Sequence, residues 1–449
     1  MKSKICKIFR FLKTFQEGGK TMKINRLLIV VVIVMMVVFS LSALSTAQTK
    51  VSFYSWMAAE VTSGGISVLQ EAERKFEEMH PDIDIETVPL PYEETPDQLA
   101  IMIAAGNPPD ITTVDVIWLE QLAAMGGLEP LSGYFSEELL QDLFPSSLDL
   151  GRAQGEQYAL VWNDNPNLLC YNKVLMEKAG FNPDQPPQTM DDFNQAIAAI
   201  SGLGDDILGI ELNLSKDSFS ADYLHPWLWN FGAEVFDQEG NVILNNAAGV
   251  EAIEWVNSLV KNKYMDPGLY IREIRVIFAQ EKLGFMLEGP WIRGILRGLN
   301  PRQEEFDKDW ALAPIPKGPA IPDDVPYGYS NPSSHMLVLA KDSPSKEAAW
   351  QYMEFLISDP EITKTYYQDT GLMPTRISLL NDPIYKDDPF VRQVLNQTEY
   401  MKKPLGWGPR WGRVGEIVMA AVQEVVLMGR DVQSTLDEAA RQIKIELSM

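Results

Sequence analysis

The segment KLGFMLEGPWIRGIL, residues 282–296, joins an apolar run to a helical pattern through a Gly-Pro-Trp corner. Gly289 permits a tight turn, and Pro290 suits the first position of a helix, where its missing N–H is not needed. No comparable local requirement of the backbone explains a tryptophan at position 291. We therefore expect a strand that ends at Glu288, a helix that begins near Trp291, and an indole that faces a ligand cleft.

Strand and helix patterns alternate on both sides of this corner. Apolar, strand-like runs occupy 49–56, 82–90, 108–115, 157–162, 167–173, 207–212 and 282–288. Helical spacing begins at Ser67, Asp97, Val116, Thr189 and Ala247, and Thr189 with Asp192 matches a capping box. Such alternation is typical of parallel, doubly wound α/β sheets, so we expect two α/β blocks.

The connection between the blocks is made of ordinary short segments, since no repeat or Gly/Ser linker separates them. The best candidates are residues 160–166 and the proline-rich residues 313–326. If the chain crosses between the blocks at both segments, each lobe is built from two separate parts of the sequence. We place the N-terminal lobe at 48–162 and 317–368, and the C-terminal lobe at 163–316 and 369–449.

Residues 1–47 form a predicted leader with a signal peptide, and translation in this interpretation starts at Met22. The apolar run 27–39 is short for a membrane span, so a retained anchor is the weaker alternative. No cysteine stands at the predicted cut after Ala47, so no lipid anchor is expected. We expect a soluble protein in the periplasm or extracytoplasmic space, in which Cys170 is the lone cysteine and forms no internal disulfide.

The charge of the chain disfavours anionic partners. The net charge is −24, and residues 1–47 carry eight Lys/Arg and one Glu, so the remainder carries about −31. A chain of this charge repels nucleic acid and anionic membrane surfaces. We expect no nucleic-acid partner.

Catalytic motifs are missing from the sequence. It contains no G-x-S-x-G, H-E-x-x-H or P-loop, and its histidines, His80, His225 and His335, are far apart. We expect these histidines to be structural, with no metal, no cofactor and no catalysis. A secreted glycoside hydrolase stays open as an alternative, because two suitably separated carboxylates suffice for that chemistry.

Tryptophans cluster at the ends of the expected elements: Trp56, Trp118, Trp162, Trp227, Trp229, Trp291, Trp407 and Trp411. An indole offers a large apolar face and one N–H, which suits a sugar with apolar ring faces and hydroxylated edges. Trp118 lies in a helical stripe and favours the core. Trp291, Trp407 and Trp411 are the better candidates for ligand contact.

Several longer blocks resemble one known family. GNPPDITTVDVIWLEQLAAMGGLEPL, YALVWNDNPNLLCYNKVLMEKAGFNP, KLGFMLEGPWIRGIL, WALAPIPKGP and SSHMLVLAKDSPSKEAAWQYMEFLISDPEITKTYYQDTGLMPTR are similar, in this order, to blocks of the family 1 extracellular solute-binding proteins. These are the carbohydrate receptors of bacterial ABC importers. The resemblance implies a monomer with two hinged lobes that closes on one sugar, a di- or oligosaccharide, and delivers it to the transmembrane subunits of an ABC permease.

The resemblance also implies site residues. Trp291 is expected to stack on a sugar ring, and Tyr223 or Trp227 to supply an aromatic wall. The other implied ligand-binding residues are Trp56, Asp115, Asn163, Asp164, Asn165, Tyr329, Trp407 and Trp411. Arg376 is a further candidate, because an arginine fork can bind an anionic sugar derivative such as a sugar phosphate or sugar acid.

Overall fold

The computed structural model describes residues 48–59, 65–405 and 408–448. The predicted signal peptide and Trp407 lie outside the described residues.

The described strands and helices follow the alternation expected from the sequence. The strands are β1 (Thr49–Ser55), β2 (Ile83–Pro89), β3 (Ile111–Asp115), β4 (Arg152–Ala153), β5 (Glu156–Gln157), β6 (Ala159–Asn163), β7 (Leu168–Asn172), β8 (Leu208–Glu211), β9 (Leu283–Glu288), β10 (Trp310–Ala313) and β11 (His335–Leu339). The α-helices are α1 (Gly65–Met79), α2 (Thr95–Ala104), α3 (Leu119–Ala124), α4 (Glu137–Asp142), α5 (Pro145–Leu150), α6 (Lys173–Lys178), α7 (Met190–Ser201), α8 (Ser218–Asn230), α9 (Ala247–Lys261), α10 (Ile271–Ala279), α11 (Ile292–Leu299), α12 (Lys346–Ser358), α13 (Pro360–Thr370), α14 (Pro383–Lys386), α15 (Pro389–Thr398), α16 (Trp411–Met428) and α17 (Val432–Ser448). Short 3₁₀ turns occupy Trp56–Ala58, Tyr92–Glu94, Val116–Trp118, Gln303–Lys308 and Ile377–Asn381.

The strands form two large sheets and one small hairpin. The first sheet has the order β2-β1-β3-β11-β6, and the second has the order β10-β7-β9-β8. Strands β3, β6, β7, β9 and β11 are buried along their whole length. Most of these strands are apolar over much of their length, as expected where helices cover both faces of a sheet.

Each large sheet contains one strand that runs against its neighbours, which differs from the all-parallel sheets expected. β11 is antiparallel to β3 and β6, and β7 is antiparallel to β9 and β10. Both reversed strands come directly after the chain has left the other sheet. A chain that leaves one sheet at its carboxyl edge and enters the next at that sheet's carboxyl edge must run in the opposite direction.

The chain therefore passes between the sheets at residues 164–167 and again at residues 314–334, close to the segments expected from the sequence. These two passages contact each other: the Asn167 N–H donates to the Asn331 carbonyl at 3.2 Å, and the Ser333 N–H donates to the Asn165 carbonyl at 2.8 Å. The lobe boundaries at 162/163, 316/317 and 368/369 remain a prediction.

Helix caps follow the sequence signals closely. The Thr189 hydroxyl accepts from the Asp192 N–H at 3.2 Å and donates to the Asp192 carboxylate at 2.8 Å, at the start of α7. Helix α8 was not expected, because Pro226 lies inside it. Its residues 220–230 are all buried, so tertiary packing compensates for the hydrogen bond that proline cannot make.

Within the described ranges, no helix is long and apolar enough to cross a membrane.

Candidate functional site

The carboxyl edge of the first sheet aligns polar side chains across three strands. His335, the first residue of β11, pairs in register with Asp115 at the end of β3 and with Asn163 at the end of β6. The reversal of β11 places its first residue at the edge where its parallel neighbours end. Loops and helix N-termini converge at such an edge, and ligands bind there in open α/β sheets.

Aromatic rings surround this alignment. The Trp56 ring packs edge-on against Tyr92, Trp118 and His335, with centroid separations of 5.2, 5.8 and 5.0 Å. Trp56 is only 1% exposed. We call Trp56, Tyr92, Asp115, Trp118 and His335 the first-sheet edge.

Asp115 is the buried carboxylate of the first-sheet edge. It accepts a hydrogen bond from the Ile117 N–H at 3.2 Å and another from the Tyr92 hydroxyl at 3.0 Å. Burial raises its pKa to about 6, and these neutral donors only partly oppose the shift. Additional hydroxyl donors from a ligand would stabilise the charged form.

The Gly-Pro-Trp corner follows β9, and its indole has a partner that the sequence did not reveal. The Trp291 Nε1–H donates to Glu288 Oε2 at 2.7 Å. The ring folds back over Gly289 so closely that a Cβ atom there would lie 1.9 Å from it. The position of the indole therefore leaves no room for a side chain at Gly289.

Glu288 is fully buried and is also held by Arg275 of α10. Arg275 Nε lies 2.6 Å from Glu288 Oε1, and Arg275 Nη2 lies 3.2 Å from Glu288 Oε2, which makes the ion pair bidentate. Such a pair fixes the geometry of both groups. We call Tyr223, Arg275, Glu288 and Trp291 the second-sheet edge.

Helix α8 presents Tyr223 and Trp227, four residues apart and so on one face of the helix. The Trp227 ring stacks on Phe193 at 5.5 Å with an interplanar angle of 6°, and packs against Trp255 at 5.2 Å. The indole is 1% exposed. Its faces therefore belong to the core, and only its N–H edge is available for another role.

The two sides of the molecule that carry these edges contact each other directly. The rings of Tyr92 and Phe219, which belong to opposite sides, lie 5.6 Å apart. Glu93, which follows β2, forms an ion pair of 2.6 Å with Arg272 of α10. The Tyr223 ring packs against Phe219 at 4.6 Å. Burial raises the pKa of the Tyr223 hydroxyl, and the nearby charges of Glu288 and Asp115 raise it further.

The three predicted residues of the first passage contact the protein itself. Asn163 bonds Asn165 at 2.8 Å and Tyr366 at 3.2 Å. Asp164 accepts from three serine hydroxyls, those of Ser146, Ser147 and Ser334, at 2.9–3.0 Å. These contacts stabilise the passage between the sheets, and the ligand role of the three residues remains a prediction.

The remaining predicted residues lie at different places. The Arg376 side chain is bound by Asp142, at 2.7 Å, and by Ser358. Tyr329 is half-buried, with Lys402 Nζ 5.7 Å from its ring centre. Trp411 is buried at the start of α16, and its N–H donates to Asp222 at 3.4 Å. Trp407, the other C-terminal candidate, lies outside the described residues.

The sequence reasoning missed Tyr92, Glu288, Arg275 and His335. The sequence predicted Glu288 only as the end of a strand. Its position directly before the Gly-Pro-Trp corner could have identified it as a site residue. Tyr92 stands in the loop after β2 and could have been found by treating every strand end alike. Arg275 and His335 depend on long-range packing, which local patterns do not show.

Each of the three histidines packs against an aromatic ring. His80 stacks on Phe76 at 4.5 Å. Burial lowers the pKa of His225 to about 3 and that of His335 to about 4, so both are neutral at physiological pH. The described part of the chain contains no group of three or more His, Cys, Asp or Glu side chains placed to hold a metal ion.

Comparison with known proteins gives one consistent result. Residues 58–362 match the family model of the bacterial extracellular solute-binding protein. The maltotriose-binding protein of Pyrococcus abyssi is 25% identical over 374 residues, covering 80% of this chain and 75% of its own.

Solved structures agree on the fold. A solute-binding protein of an ABC transporter from Thermotoga lettingae, solved with α-D-tagatose, superposes with a TM-score of 0.79 at 22% identity, covering 89% of this chain and 100% of its own. The maltose-bound MalE3 protein of T. maritima gives a TM-score of 0.77 at 24% identity, covering 88% and 99%. These neighbours confirm the two-lobed α/β binding-protein fold predicted from the sequence.

Proposed function

We propose that this chain, which belongs to the bacterial extracellular solute-binding proteins, captures a di- or oligosaccharide between its two lobes and delivers it to the transmembrane subunits of an ABC permease. Members of this family are binding proteins and not enzymes, and they act outside the cytoplasm. In this proposal the protein is a monomer with no nucleic-acid partner, it begins near Gln48 after the leader is removed, and it carries no lipid anchor.

The observation that carries the proposal is the arrangement of the two edges. Asp115 ends β3, and Trp56 and Tyr92 lie in the turns after β1 and β2. Trp291 lies at the corner after β9, and Tyr223 lies in α8, the helix after β8. Aromatic rings with buried hydrogen-bonding groups at their edges suit a ligand that is apolar on its ring faces and hydroxylated around them.

The names of the relatives support a sugar as the ligand. Besides the maltotriose-binding protein, they include a protein whose solved structure contains α-D-tagatose. The anionic alternative has less support, because Arg376 is engaged by Asp142 and Arg275 is engaged by Glu288. An arginine whose N–H groups already donate to a protein carboxylate has fewer donors left for the carboxylate or phosphate of a ligand.

The test of binding is calorimetry of the purified protein with maltose, maltotriose, lactose, arabinotriose and glucose 6-phosphate. We expect at least one neutral sugar to bind with a Kd around micromolar or tighter, about −8 kcal/mol. The sugar should be recovered unchanged after incubation. An exclusive response to glucose 6-phosphate, or reducing ends that accumulate in proportion to protein, would contradict the proposal.

The test of closure is small-angle scattering with and without that sugar. A ligand that contacts residues of both lobes favours the closed state by its differential affinity for it. The radius of gyration should therefore fall when the sugar is added. An unchanged radius at saturating sugar would argue against the hinge, while leaving sugar binding intact.

A further inference from the structure

A small, partly open cavity lies at the carboxyl end of β8, between α8, α10 and β9. Its wall is mostly apolar, with Ile271 and Ile274 from α10 and Met286 and Leu287 from β9. The open space is about the size of a single water molecule.

Three buried polar atoms of the residues that line this cavity have no hydrogen-bond partner among the described residues. They are Glu211 Oε2, the Tyr223 hydroxyl and Trp227 Nε1. The three side chains belong to residues that are 1%, 5% and 1% exposed. Buried polar atoms are normally hydrogen-bonded, and an unmade bond of this kind is costly. All three residues line the same cavity.

The hydrogen-bonding roles of the three groups are complementary to one hydroxyl oxygen. Trp227 Nε1 can only donate, and the Tyr223 hydroxyl can donate or accept. Glu211 Oε1 already accepts from the Asp266 N–H at 2.6 Å. Burial raises the Glu211 pKa to about 9, so at neutral pH the acid keeps its proton and Oε2 can donate.

We propose that this cavity is a subsite of the sugar site, in which one neutral hydroxyl group of the ligand accepts from Glu211 and Trp227 and donates to Tyr223. Glu211 is then a specificity-determining residue: it selects a position that carries a hydroxyl over one that lacks oxygen. The inference rests on the proposed sugar-binding function.

The position of the cavity favours a ligand group over a permanently trapped water. Tyr223 also belongs to the second-sheet edge, so its side chain joins the cavity to the region between the two sheets. The first residue of α10, Ile271, lines the cavity, and the next residue, Arg272, is the ion-pair partner of Glu93 on the first-sheet side. Separation of the two sides would therefore loosen the cavity wall and give a ligand access.

The test compares Glu211→Gln with Glu211→Leu by calorimetry, using the tightest-binding sugar of the panel above. Gln keeps a donor at the cavity and an acceptor for Asp266, so its affinity should stay within about threefold of the parent. Leu has neither, and it should weaken binding roughly tenfold or more, the effect of a buried hydrogen bond left unmade. Melting of the ligand-free variants checks that both are folded.

A second pair of variants separates the cavity from other buried hydroxyls. Tyr223→Phe removes the cavity hydroxyl and should weaken the sugar by about tenfold. Tyr352→Phe removes an equally buried and unpartnered hydroxyl in the core of the first-sheet side, and it should leave affinity unchanged. Equal losses in the two variants would contradict a local role.

Crystals of the parent protein with and without the sugar decide the source of the oxygen. A sugar hydroxyl within 3.5 Å of Glu211 Oε2 supports the subsite, also where Glu211→Leu fails to fold. A water in the cavity in both crystals, or equal sugar affinity in the parent and a folded Glu211→Leu, overturns it while sugar binding stands. If the folded parent binds no sugar of the panel, the proposed function fails and the subsite fails with it.

Discussion

The two edges hold their buried carboxylates in opposite ways. On the second-sheet edge, Glu288 meets the charge of Arg275 and the indole N–H of Trp291. On the first-sheet edge, Asp115 meets a backbone N–H and the Tyr92 hydroxyl, both neutral donors. A carboxylate with a bidentate cation is already satisfied, whereas one with neutral donors gains when further donors arrive.

This difference assigns different tasks to the two edges. The Glu288 pair fixes the shape of the corner on which Trp291 sits. We propose that Asp115 supplies unfilled acceptor capacity for sugar hydroxyls. Asp115 should therefore lower stability and raise affinity, while the Glu288–Arg275 pair should contribute mainly to stability.

The largest expected effect follows from breaking the ion pair of the second-sheet edge. Glu288→Gln removes the negative charge that Arg275 faces in the interior. Removal of one partner of a buried pair leaves an uncompensated charge, and we expect a loss of about 3 kcal/mol in the free energy of unfolding. Urea denaturation of the ligand-free protein measures it.

The matched control is Glu438→Gln, which removes an exposed partner of Arg441 on α17. Solvent and salt screen such a pair, so unfolding should not change measurably. A similar stability for the two variants would show that the Glu288 pair is not structural.

The next effect concerns Trp291, whose ring and N–H can be separated. Trp291→Ala removes the stacking surface and should cost about 2–4 kcal/mol of sugar binding, as a binding hot spot does. Trp291→Phe keeps an aromatic face and loses only the bond to Glu288, so it should retain most of the affinity. Calorimetry on both variants, with melting of the ligand-free forms, distinguishes stacking from support of Glu288. An equal loss for Phe and Ala would mean that the N–H matters more than the ring.

Local patterns in the sequence predicted this region well. The end of β9 at Glu288 and the helix from Ile292 follow from Gly289, Pro290 and the apolar spacing, which act within a few residues. The α/β class and the two passages between sheets were also predictable, because the alternation of strands and helices is visible in the local sequence and does not depend on how the side chains pack.

Long-range packing decided what the sequence could not predict. Tyr223 or Trp227 was expected to supply an aromatic wall, and Phe193 and Trp255, from distant parts of the chain, cover the faces of Trp227. Arg376 was offered as a fork for an anion, but Asp142 lies beside it in the fold. The reversal of β7 and β11 likewise depends on where each strand enters its sheet, not on its residues.

The cost of the unfilled carboxylate on the first-sheet edge can be measured by its pH dependence. The Asp115 pKa is raised from 3.8 to about 6 by burial, so its ionised form destabilises the fold. Asp115→Asn should stabilise the ligand-free protein by up to ~3 kcal/mol above pH 6, and the gain should vanish below pH 4, where the parent is also neutral. Thermal melts across pH 4–8 test this. The same variant should bind sugar at least tenfold more weakly, roughly 1.4 kcal/mol; higher stability with unchanged affinity would remove Asp115 from the site.

The smallest effect should come from the contact that joins the two sides at the surface. Glu93 and Arg272 have side chains 59% and 77% exposed, so Glu93→Gln should change the free energy of unfolding by less than about 1 kcal/mol. The pair connects the two sides, however, and it therefore favours the closed arrangement even where it adds little stability. We expect the ligand-free variant to have a larger radius of gyration than the parent in low salt, and the two radii to converge in 0.5 M salt, roughly a 4–5 Å screening length. Equal radii at low salt would mean that the aromatic contact between Tyr92 and Phe219, and not the ion pair, holds the two edges together.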